Sequence, residues 1–418
     1  MKNKIKENID YPEQLEKLYR EDQKDFEKAF FEIYPEINNY NISEFWKTRL
    51  EFGRLKEEPI KAKKGETLLL ITACAFAALL IEIPQWFHMT VREPFYNKNA
   101  GLIVLFGLSI YAFISKETIK IKPILISIAV FLVSALYINL LPYNVKSDSM
   151  ILAYAHLPLM LWCLYGLIFV DFDTKDYSKR IDYLKYNGDL AILMAVILIV
   201  GGILSGVTIQ LFAAIDLNIE KFFVDYIVLS GLVSVPILAT FIIRKFPFVA
   251  NKIAPIIANI FSPLVFITLV IYMVSILVSG KDPYNDRDFL FVFNIMLLGV
   301  MAIIMFSVSE ISFQDKRRFN NIIIFALSVV TIIIDLIALS AILFRISEFG
   351  FTPNRVAVLG SNVLILGNLL LIMIDLFKVN FKSKDANQVE FTIAKYLPIY
   401  MLWTIFMVFL VPIIFGFK

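Results

Sequence analysis

Apolar stretches of about 20 residues recur from residue 67 to the end of the sequence. At 1.5 Å per residue, a helix of that length crosses a hydrocarbon core about 30 Å thick. Eleven such stretches are present, at 67–84, 100–115, 123–142, 149–170, 190–215, 222–243, 253–279, 288–309, 320–344, 354–377 and 396–417. Only helices and closed barrels satisfy the backbone inside lipid. The stretches therefore predict an all-α polytopic bundle of about eleven membrane-spanning helices.

The composition excludes an ordinary soluble globular protein. Hydrophobic residues make up 58% of the chain and charged residues only 18%, with a mean hydropathy of +0.71. Soluble domains hold fewer apolar residues and about 25% charged ones. The first partner that this composition predicts is a lipid bilayer.

Residues 1–66 differ from the rest of the chain because they are polar and charged. Pro12 suits the first turn of a helix and Ser43 suits an N-cap, with apolar residues at helical spacing between them. We therefore divide the chain into two regions. Residues 1–66 form a cytoplasmic helical tail with a basic juxtamembrane segment, and residues 67–418 form the transmembrane helical domain.

The tail itself changes charge along its length. Residues 1–46 hold eleven acidic and seven basic side chains, whereas residues 47–66 hold four acidic and seven basic ones. A unit of about 45 residues buries too little surface to be very stable alone. We therefore expect residues 1–46 to dock onto the membrane domain or onto a cytoplasmic protein partner. The basic run from Lys61 to Lys64 suits anionic lipid headgroups, and no nucleic-acid partner is expected.

The positions of Lys and Arg predict an orientation, because cations are retained on the cytoplasmic side. With eleven spans and a cytoplasmic N-terminus, the inner segments within or beside the membrane hold 24 of the 40 cations, and the outer segments hold nine. The remaining seven lie in residues 1–46, so none lies in the interior of a span. This pattern predicts a cytoplasmic N-terminus and an extracytoplasmic C-terminus.

Motifs of catalysis and cofactor binding are absent from the sequence. Cys74 and Cys163 both lie in predicted spans, only two histidines occur, and there is no CxxC, P-loop, GxGxxG, GxSxG or HExxH pattern. We therefore predict no cofactor, no metal site and no catalytic residue. Transport driven by ATP within this chain is not expected either.

Asp335 is the ionisable residue that lies deepest in a predicted span. It lies 15 residues into the ninth span, about 22 Å from its cytoplasmic end. The tenth span reaches that depth near Leu364, with Asn362 and Asn368 within about one turn. An ionisable group in hydrocarbon is costly unless it is paired or hydrated. Two interpretations stay open: a proton- or cation-coupling site flanked by amides, and a neutral Asp335 that hydrogen-bonds those asparagines and holds two helices together.

Other polar residues lie toward the predicted outer ends of spans. These are Glu82, His88, His156, Gln210 and Asn294. Together they would line an outward-facing cavity, if the helices bring them close. Each also has a structural interpretation, since His88 suits an interfacial belt and His156, beside Pro158, suits a bond to a backbone carbonyl. The sequence leaves both open.

The stretch RISEFGFTPNRVAVLG, from Arg345 to Gly360, predicts a turn between the ninth and tenth spans. Gly350 suits the end of one helix, while Thr352 suits the N-cap of the next, with Pro353 at its first position. We expect three charged residues to pair across this outer hairpin: Arg345, Glu348 and Arg355. The turn is then either purely architectural or a place where two arginines attract an anionic ligand.

Two stretches of the sequence carry a resemblance to a protein family. RISEFGFTPNRVAVLG and KDPYNDRDFLFVFN, at residues 281–294, resemble an uncharacterised family of multi-pass bacterial inner-membrane proteins, a domain of unknown function. The tail stretch YPEQLEKLYRED is similar to N-terminal extensions of Bacteroidetes-type members. The resemblance implies an all-helical protein of the bacterial inner membrane. It brings no activity, cofactor or catalytic residue.

Three classes of function fit the sequence. The first is a secondary transporter or permease for a small solute or ion, with Asp335, Asn362, Asn368, Glu82 and His156 as candidate ligand or ion-coupling residues. The second is a non-transporting membrane scaffold or regulatory subunit. The third is a membrane-embedded enzyme acting on a lipid-linked substrate, whose only candidate acid and base groups are Glu82, His88, His156 and Glu348.

Overall fold

The structure is a computed structural model that describes residues 1–21, 23–37, 40–57, 65–116, 120–213, 217–246, 262–271, 273–274, 287–308, 318–382 and 387–417. Within these ranges the regular elements are helices and no strand occurs, which confirms the all-α prediction. The chain divides into two compact units, Met1–Lys64 and Gly65–Lys418.

The described part of the first unit contains helices α1 (Lys2–Glu7), α2 (Pro12–Glu21), α3 (Gln23–Ile37) and α4 (Asn41–Glu57). They enclose an apolar core in which Phe26, Phe30 and Trp46 are fully buried. Helix α2 begins at Pro12, as predicted. The N-cap prediction for Ser43 is wrong, because α4 begins two residues earlier and the Ser43 amide already bonds the carbonyl of Tyr40 at 2.9 Å.

The described part of the second unit is built from twelve helices. These are α5 (Glu66–Ile81), α6 (Ile83–Trp86), α7 (Glu93–Ile114), α8 (Ile121–Leu140), α9 (Asp148–Phe169), α10 (Tyr177–Ala213), α11 (Glu220–Lys245), α12 (Ser262–Ile271), α13 (Arg287–Val308), α14 (Arg318–Phe349), α15 (Pro353–Lys382) and α16 (Asn387–Ile414). Two wider π-helical turns interrupt them, Phe223–Val228 in α11 and Phe406–Leu410 in α16.

Eight of the described helices are long and apolar enough to cross a membrane, namely α7 to α11 and α14 to α16. Each overlaps a predicted span, including 100–115, which belongs to a helix of 22 residues. Helix α5 is shorter, at 16 residues, and the predicted spans 253–279 and 288–309 lie only partly within the described residues. The chain is therefore a multi-pass integral membrane protein, and the count of eleven spans stays a prediction.

Helices α5, α7, α8, α9 and α11 pack around one apolar core together with the first half of α10. Small residues let the backbones approach closely. A Cβ added at Gly107 on α7 would lie 3.0 Å from Ala77 on α5 and 3.1 Å from Ile237 on α11. The contact of Gly107 with two helices fixes α7 between them.

Helices α12 to α16 pack around a second apolar core, to which Leu184 of α10 also contributes. Within it, α14 and α15 form an antiparallel hairpin and α16 lies against α15. This group positions the residues that the sequence analysis singled out in the ninth and tenth spans.

The second half of α10 exposes apolar side chains over most of its circumference. Ile199, Ile203 and Leu204 are each 64% exposed. Exposure of so many large apolar side chains is unfavourable in water and favourable against lipid tails. This part of α10 is suited to a bilayer.

Candidate functional site

The register of α14 and α15 places Asp335 at the level of Asn368. The side-chain amide of Asn380 on α15 donates a hydrogen bond to the carbonyl of Asn321 on α14 at 3.3 Å. Counting equally along both helices from this contact brings Asp335 level with residues 366–368. The predicted neighbour, Leu364, lies about one turn nearer the hairpin, because depth was counted from the end of the apolar stretch at residue 344, whereas α14 continues to Phe349.

Helix α16 runs antiparallel to α15 and brings Tyr400 to the same level. The hydroxyl of Thr392 donates to Asp375 Oδ2 at 2.6 Å near one end of the interface. Two turns further on, Asn368 Nδ2 donates to the hydroxyl oxygen of Tyr400 at 3.0 Å. The carboxyl group of Asp335 lies within electrostatic range of Tyr400. Asp335, Asn368 and Tyr400, one from each of three helices, form what we call the central polar cluster.

The polar groups of this cluster are buried and incompletely bonded. Asp335 and Asn368 have no exposed surface, and Asn362, six residues nearer the hairpin, is 1% exposed. Both carboxylate oxygens of Asp335, Oδ1 of Asn368 and Nδ2 of Asn362 have no hydrogen-bond partner among the described residues. The predicted hydrogen bonds between Asp335 and the asparagines are therefore not formed, since Asn368 donates to Tyr400 instead.

The energetic cost of this arrangement is large for a purely architectural role. A buried polar group without a partner costs about 1–3 kcal/mol, and a buried charge costs more. In the described part of the chain, no Lys or Arg forms an ion pair with Asp335. A carboxyl that only held helices together would be bonded to its neighbours. The cluster therefore has unused capacity to accept a proton or a cation.

Glu82 belongs to a second buried polar group, at the end of α5. The residue is 5% exposed, and its Oε1 accepts a hydrogen bond from the hydroxyl of Ser230 on α11 at 3.1 Å. Its Oε2 has no partner among the described residues. Glu82 is thus a second membrane-domain carboxyl with an unused oxygen.

An ion pair and an amide lie beside Glu82. Arg92 Nη1 and Asp225 Oδ2 are 2.8 Å apart, and this bond raises the pKa of the Arg92 guanidinium. Gln85 Nε2 donates to the hydroxyl oxygen of Tyr96 at 2.8 Å and to the carbonyl oxygen of Asp225 at 3.3 Å. Asp225 lies in the π-helical turn of α11, which re-aims the backbone at this point. These bonds tie α6, α7 and α11 together around Glu82.

The remaining outer residues do not share hydrogen-bond partners with Glu82 in the described structure. His156 bonds the carbonyl of Leu152 through Nδ1 at 2.8 Å, as its structural interpretation required, although Pro158 frees the carbonyl of Tyr154 instead. His88 and Gln210 are exposed, and Oδ1 of Asn294 is buried without a partner among the described residues. These contacts give no support to one acid–base site.

The outer hairpin is held by backbone contacts rather than by the expected ion pairs. Gly350 adopts a left-handed conformation, with φ of +74°, and the Thr352 hydroxyl accepts from the amide of Arg355 at 3.3 Å. Arg355 Nη1 donates to the carbonyls of Phe349 and Gly350 at 2.8 and 2.7 Å. The described structure contains no ion pair among Arg345, Glu348 and Arg355, because Arg355 bonds the carbonyls that end α14.

Several residues of these two sites were missed at the sequence level. Tyr400 gave no signal, because a tyrosine in an apolar stretch is ordinary. Gln85, Asp225 and Ser230 lie close to predicted span ends, where polar residues are common. A signal was available only in spacing, since Gly360 and Gly367 are seven residues apart and mark the face of α15 that receives α16.

Comparison with known proteins does not identify the chain. No family model matches it, and no curated protein or solved structure does either. The resemblance carried by residues 345–360 and 281–294 stays an expectation, and residues 281–286 lie outside the described part of the chain. Within that part, no group of three or more His, Cys, Asp and Glu side chains could hold a metal ion. Any assignment of function therefore rests on the two buried polar sites.

Proposed function

We propose that the protein is a secondary transporter or permease for a small solute or ion, and that Asp335 is its coupling group. A coupling carboxyl must be able to gain and lose a proton or cation while the helices around it rearrange. Asp335 meets this need because it lies near the middle of α14, on a three-helix interface, with both oxygens unbonded to described residues. That single observation carries the proposal.

A non-transporting scaffold or regulatory subunit is the second candidate. It is favoured by the first unit, Met1–Lys64, which has its own apolar core and is therefore able to act as a binding module. In this alternative, residues 1–46 bind a cytoplasmic protein. An enzyme acting on a lipid-linked substrate is the least favoured, because Glu82 and His156 bond different partners and His88 is exposed.

The cellular setting belongs to the same proposal. Placement in a bacterial inner membrane, with the N-terminus cytoplasmic and the C-terminus outside, is supported by the distribution of Lys and Arg and by the family resemblance. In this orientation the outer hairpin, with Arg345, Glu348 and Arg355, and the Glu82 site face the extracytoplasmic side.

Flux measurements in proteoliposomes test the proposal. The full chain is reconstituted with a pH-sensitive dye inside, and proton movement is followed when Na⁺, K⁺ or pools of small solutes are added outside. Wild type is compared with Asp335→Asn, which removes the titratable group at nearly constant volume. Asp189→Asn is the matched control, because Asp189 is another mostly buried acid in the membrane domain, on α10. The expected result is flux in wild type and in the control only.

An absence of flux in wild type under all these gradients would favour the scaffold. Equal flux in wild type and Asp335→Asn would keep a transporter but remove Asp335 as its coupling group. Abundance in the membrane is measured for every variant, so that a loss of flux is not confused with a loss of protein.

A further inference from the structure

Asn368 turns its amide nitrogen toward the hydroxyl of Tyr400. Asn368 uses Nδ2 as the donor to Tyr400 at 3.0 Å, which leaves Oδ1 as a free acceptor. The two carboxylate oxygens of Asp335 are also acceptors without a donor among the described residues. The central polar cluster therefore presents three oxygens at one level of the bundle, and none of them accepts a hydrogen bond from a described residue.

Charge balance limits what these oxygens can hold. One carboxylate lies in a buried site that no described Lys or Arg neutralises, and an uncompensated charge in a low-dielectric interior is costly. A monovalent cation brings the site to zero net charge. A divalent cation leaves one positive charge in excess, and an anion adds to the negative one.

The ligand chemistry favours the same occupant. Carboxylate and amide oxygens are hard donors that suit cations such as Na⁺ and K⁺, whereas no thiolate or imidazole belongs to the cluster. Cations held in membrane interiors are coordinated by oxygens that replace their water shell. Tyr400 contributes by restraining the Asn368 side chain through this hydrogen bond, since an unbonded side chain is free to rotate.

We propose that the central polar cluster is a binding site for a dehydrated monovalent metal cation, with Asp335 and Asn368 as oxygen ligands and Tyr400 as a positioning residue. The inference deepens the proposed function, because it names the coupled species at the same carboxyl, and it rests on that function only for its physiological use. The binding site itself is testable without any transport.

Cation binding is measured as a saturable rise in thermal stability, because a ligand of the folded state stabilises it. The full chain is purified in detergent and titrated with NaCl, and separately with KCl, while choline chloride keeps the ionic strength constant. Unfolding is followed by tryptophan fluorescence. Wild type is expected to show a saturable rise in Tm with at least one of the two ions and none with choline.

Three variants separate ligands from a positioning residue. Asp335→Asn and Asn368→Leu are expected to abolish the saturable rise. Tyr400→Phe keeps the ring and removes the hydroxyl, so the midpoint concentration should increase about tenfold, the value of one hydrogen bond. A merely structural Tyr400 would lower Tm without moving this midpoint. Asp189→Asn is the matched control and should keep the wild-type midpoint.

Several results would overturn the proposal. One is the absence of a saturable rise with both ions, and another is an unchanged midpoint in Asp335→Asn. An unchanged midpoint in Asn368→Leu would mean that the amide faces the other way and donates to Asp335. Binding without flux in proteoliposomes would leave this site standing and remove the transporter. Flux that needs neither Na⁺ nor K⁺ would keep the transporter and rule out this cation site as part of its mechanism.

Discussion

The indole ring of Trp403 on α16 lies directly against the backbone of Gly360 on α15. A Cβ added at Gly360 would lie 1.9 Å from the ring, a distance that no side chain tolerates. Because Trp403 is three residues from Tyr400, this contact sets the position of α16 against the central polar cluster. The glycine is therefore required by packing rather than by backbone conformation.

Gly360→Ala is expected to destabilise the protein by about 1–3 kcal/mol, because the new methyl group overpacks the interface with Trp403. Gly202→Ala on α10 is the matched control, since nothing lies within 4 Å of a Cβ added there. That control should be neutral or slightly stabilising, as alanine is the better helix former. The measurement is the free energy of unfolding in SDS titrations from mixed micelles. Equal effects of the two substitutions would contradict the packing argument.

The ion pair between Arg92 and Asp225 is expected to couple α7 to α11 only modestly. Its side chains are 31% and 23% exposed, so solvent screens much of the attraction. A double-mutant cycle with Arg92→Gln, Asp225→Asn and both together should give a small, favourable coupling energy. The same SDS titration measures it. Additivity of the two substitutions would show that the bond does not stabilise the protein.

The fold was predictable from sequence wherever hydropathy carries the information. Spans such as 123–142 and 149–170 correspond to α8 and α9 because about 20 apolar residues in lipid have essentially one backbone solution. Turn residues carried information too, since Gly350 was predicted to end a helix and α14 ends at Phe349, directly before this left-handed glycine. Other helix ends were less predictable: Ser43 was expected to be an N-cap, but α4 begins at Asn41.

The candidate site was predictable only in part, for a different reason. Depth along a helix can be counted from sequence, so Asp335 and Asn368 were placed near each other. The side of the helix on which a residue lies cannot be read from an apolar stretch, because apolar residues cover both the lipid-facing and the buried side. The rotation of each helix about its axis decides that Tyr400 of α16 meets Asn368 and accepts a hydrogen bond from it. Hydrogen bonding between Asp335 and Asn368 was therefore the wrong expectation.

The first unit is expected to lose stability in acid partly through Glu16. Burial raises the pKa of this carboxyl, but hydrogen bonds from Arg20 and Arg49, at 2.9 and 3.1 Å, outweigh it and lower the pKa below its usual value of 4.5. Because the pKa is lower in the folded state, ionised Glu16 stabilises the unit above the unfolded pKa. That stabilisation is lost as the pH falls through the folded pKa.

Glu16→Gln provides the test of this pH dependence. Residues 1–64 are studied as a peptide by circular dichroism, and Tm is compared between wild type and variant. We expect wild type to be more stable by about 0.5–1 kcal/mol at neutral pH, and this difference to vanish as the pH falls below the folded pKa of Glu16. A difference that stays constant over this range would mean that the charge of Glu16 does not matter.

The proposed orientation predicts an active alkaline phosphatase fused after Lys418 and an inactive one fused before Met1. The reason is the excess of Lys and Arg in alternate segments, which places the N-terminus inside and, with an odd number of spans, the C-terminus outside. Immunoblots control for expression of both fusions. An inactive, well-expressed C-terminal fusion would mean that the number of spans is even.

Replacement of Asp335 separates a coupling group from an architectural one most directly. Because neither carboxylate oxygen bonds a described residue, removing the carboxyl breaks no hydrogen bond within the described structure. In choline buffer, where no metal cation is bound, Asp335→Asn is expected to stabilise the protein by about 1–3 kcal/mol, since a buried carboxylate without a partner is replaced by a neutral amide that can also donate a hydrogen bond. Flux should be lost in the same variant. A gain of stability together with a loss of activity is typical of functional residues that are kept at a cost to folding. A loss of stability in Asp335→Asn would instead show that Asp335 holds α14 to α15, and the case for a coupling site at this carboxyl would fail.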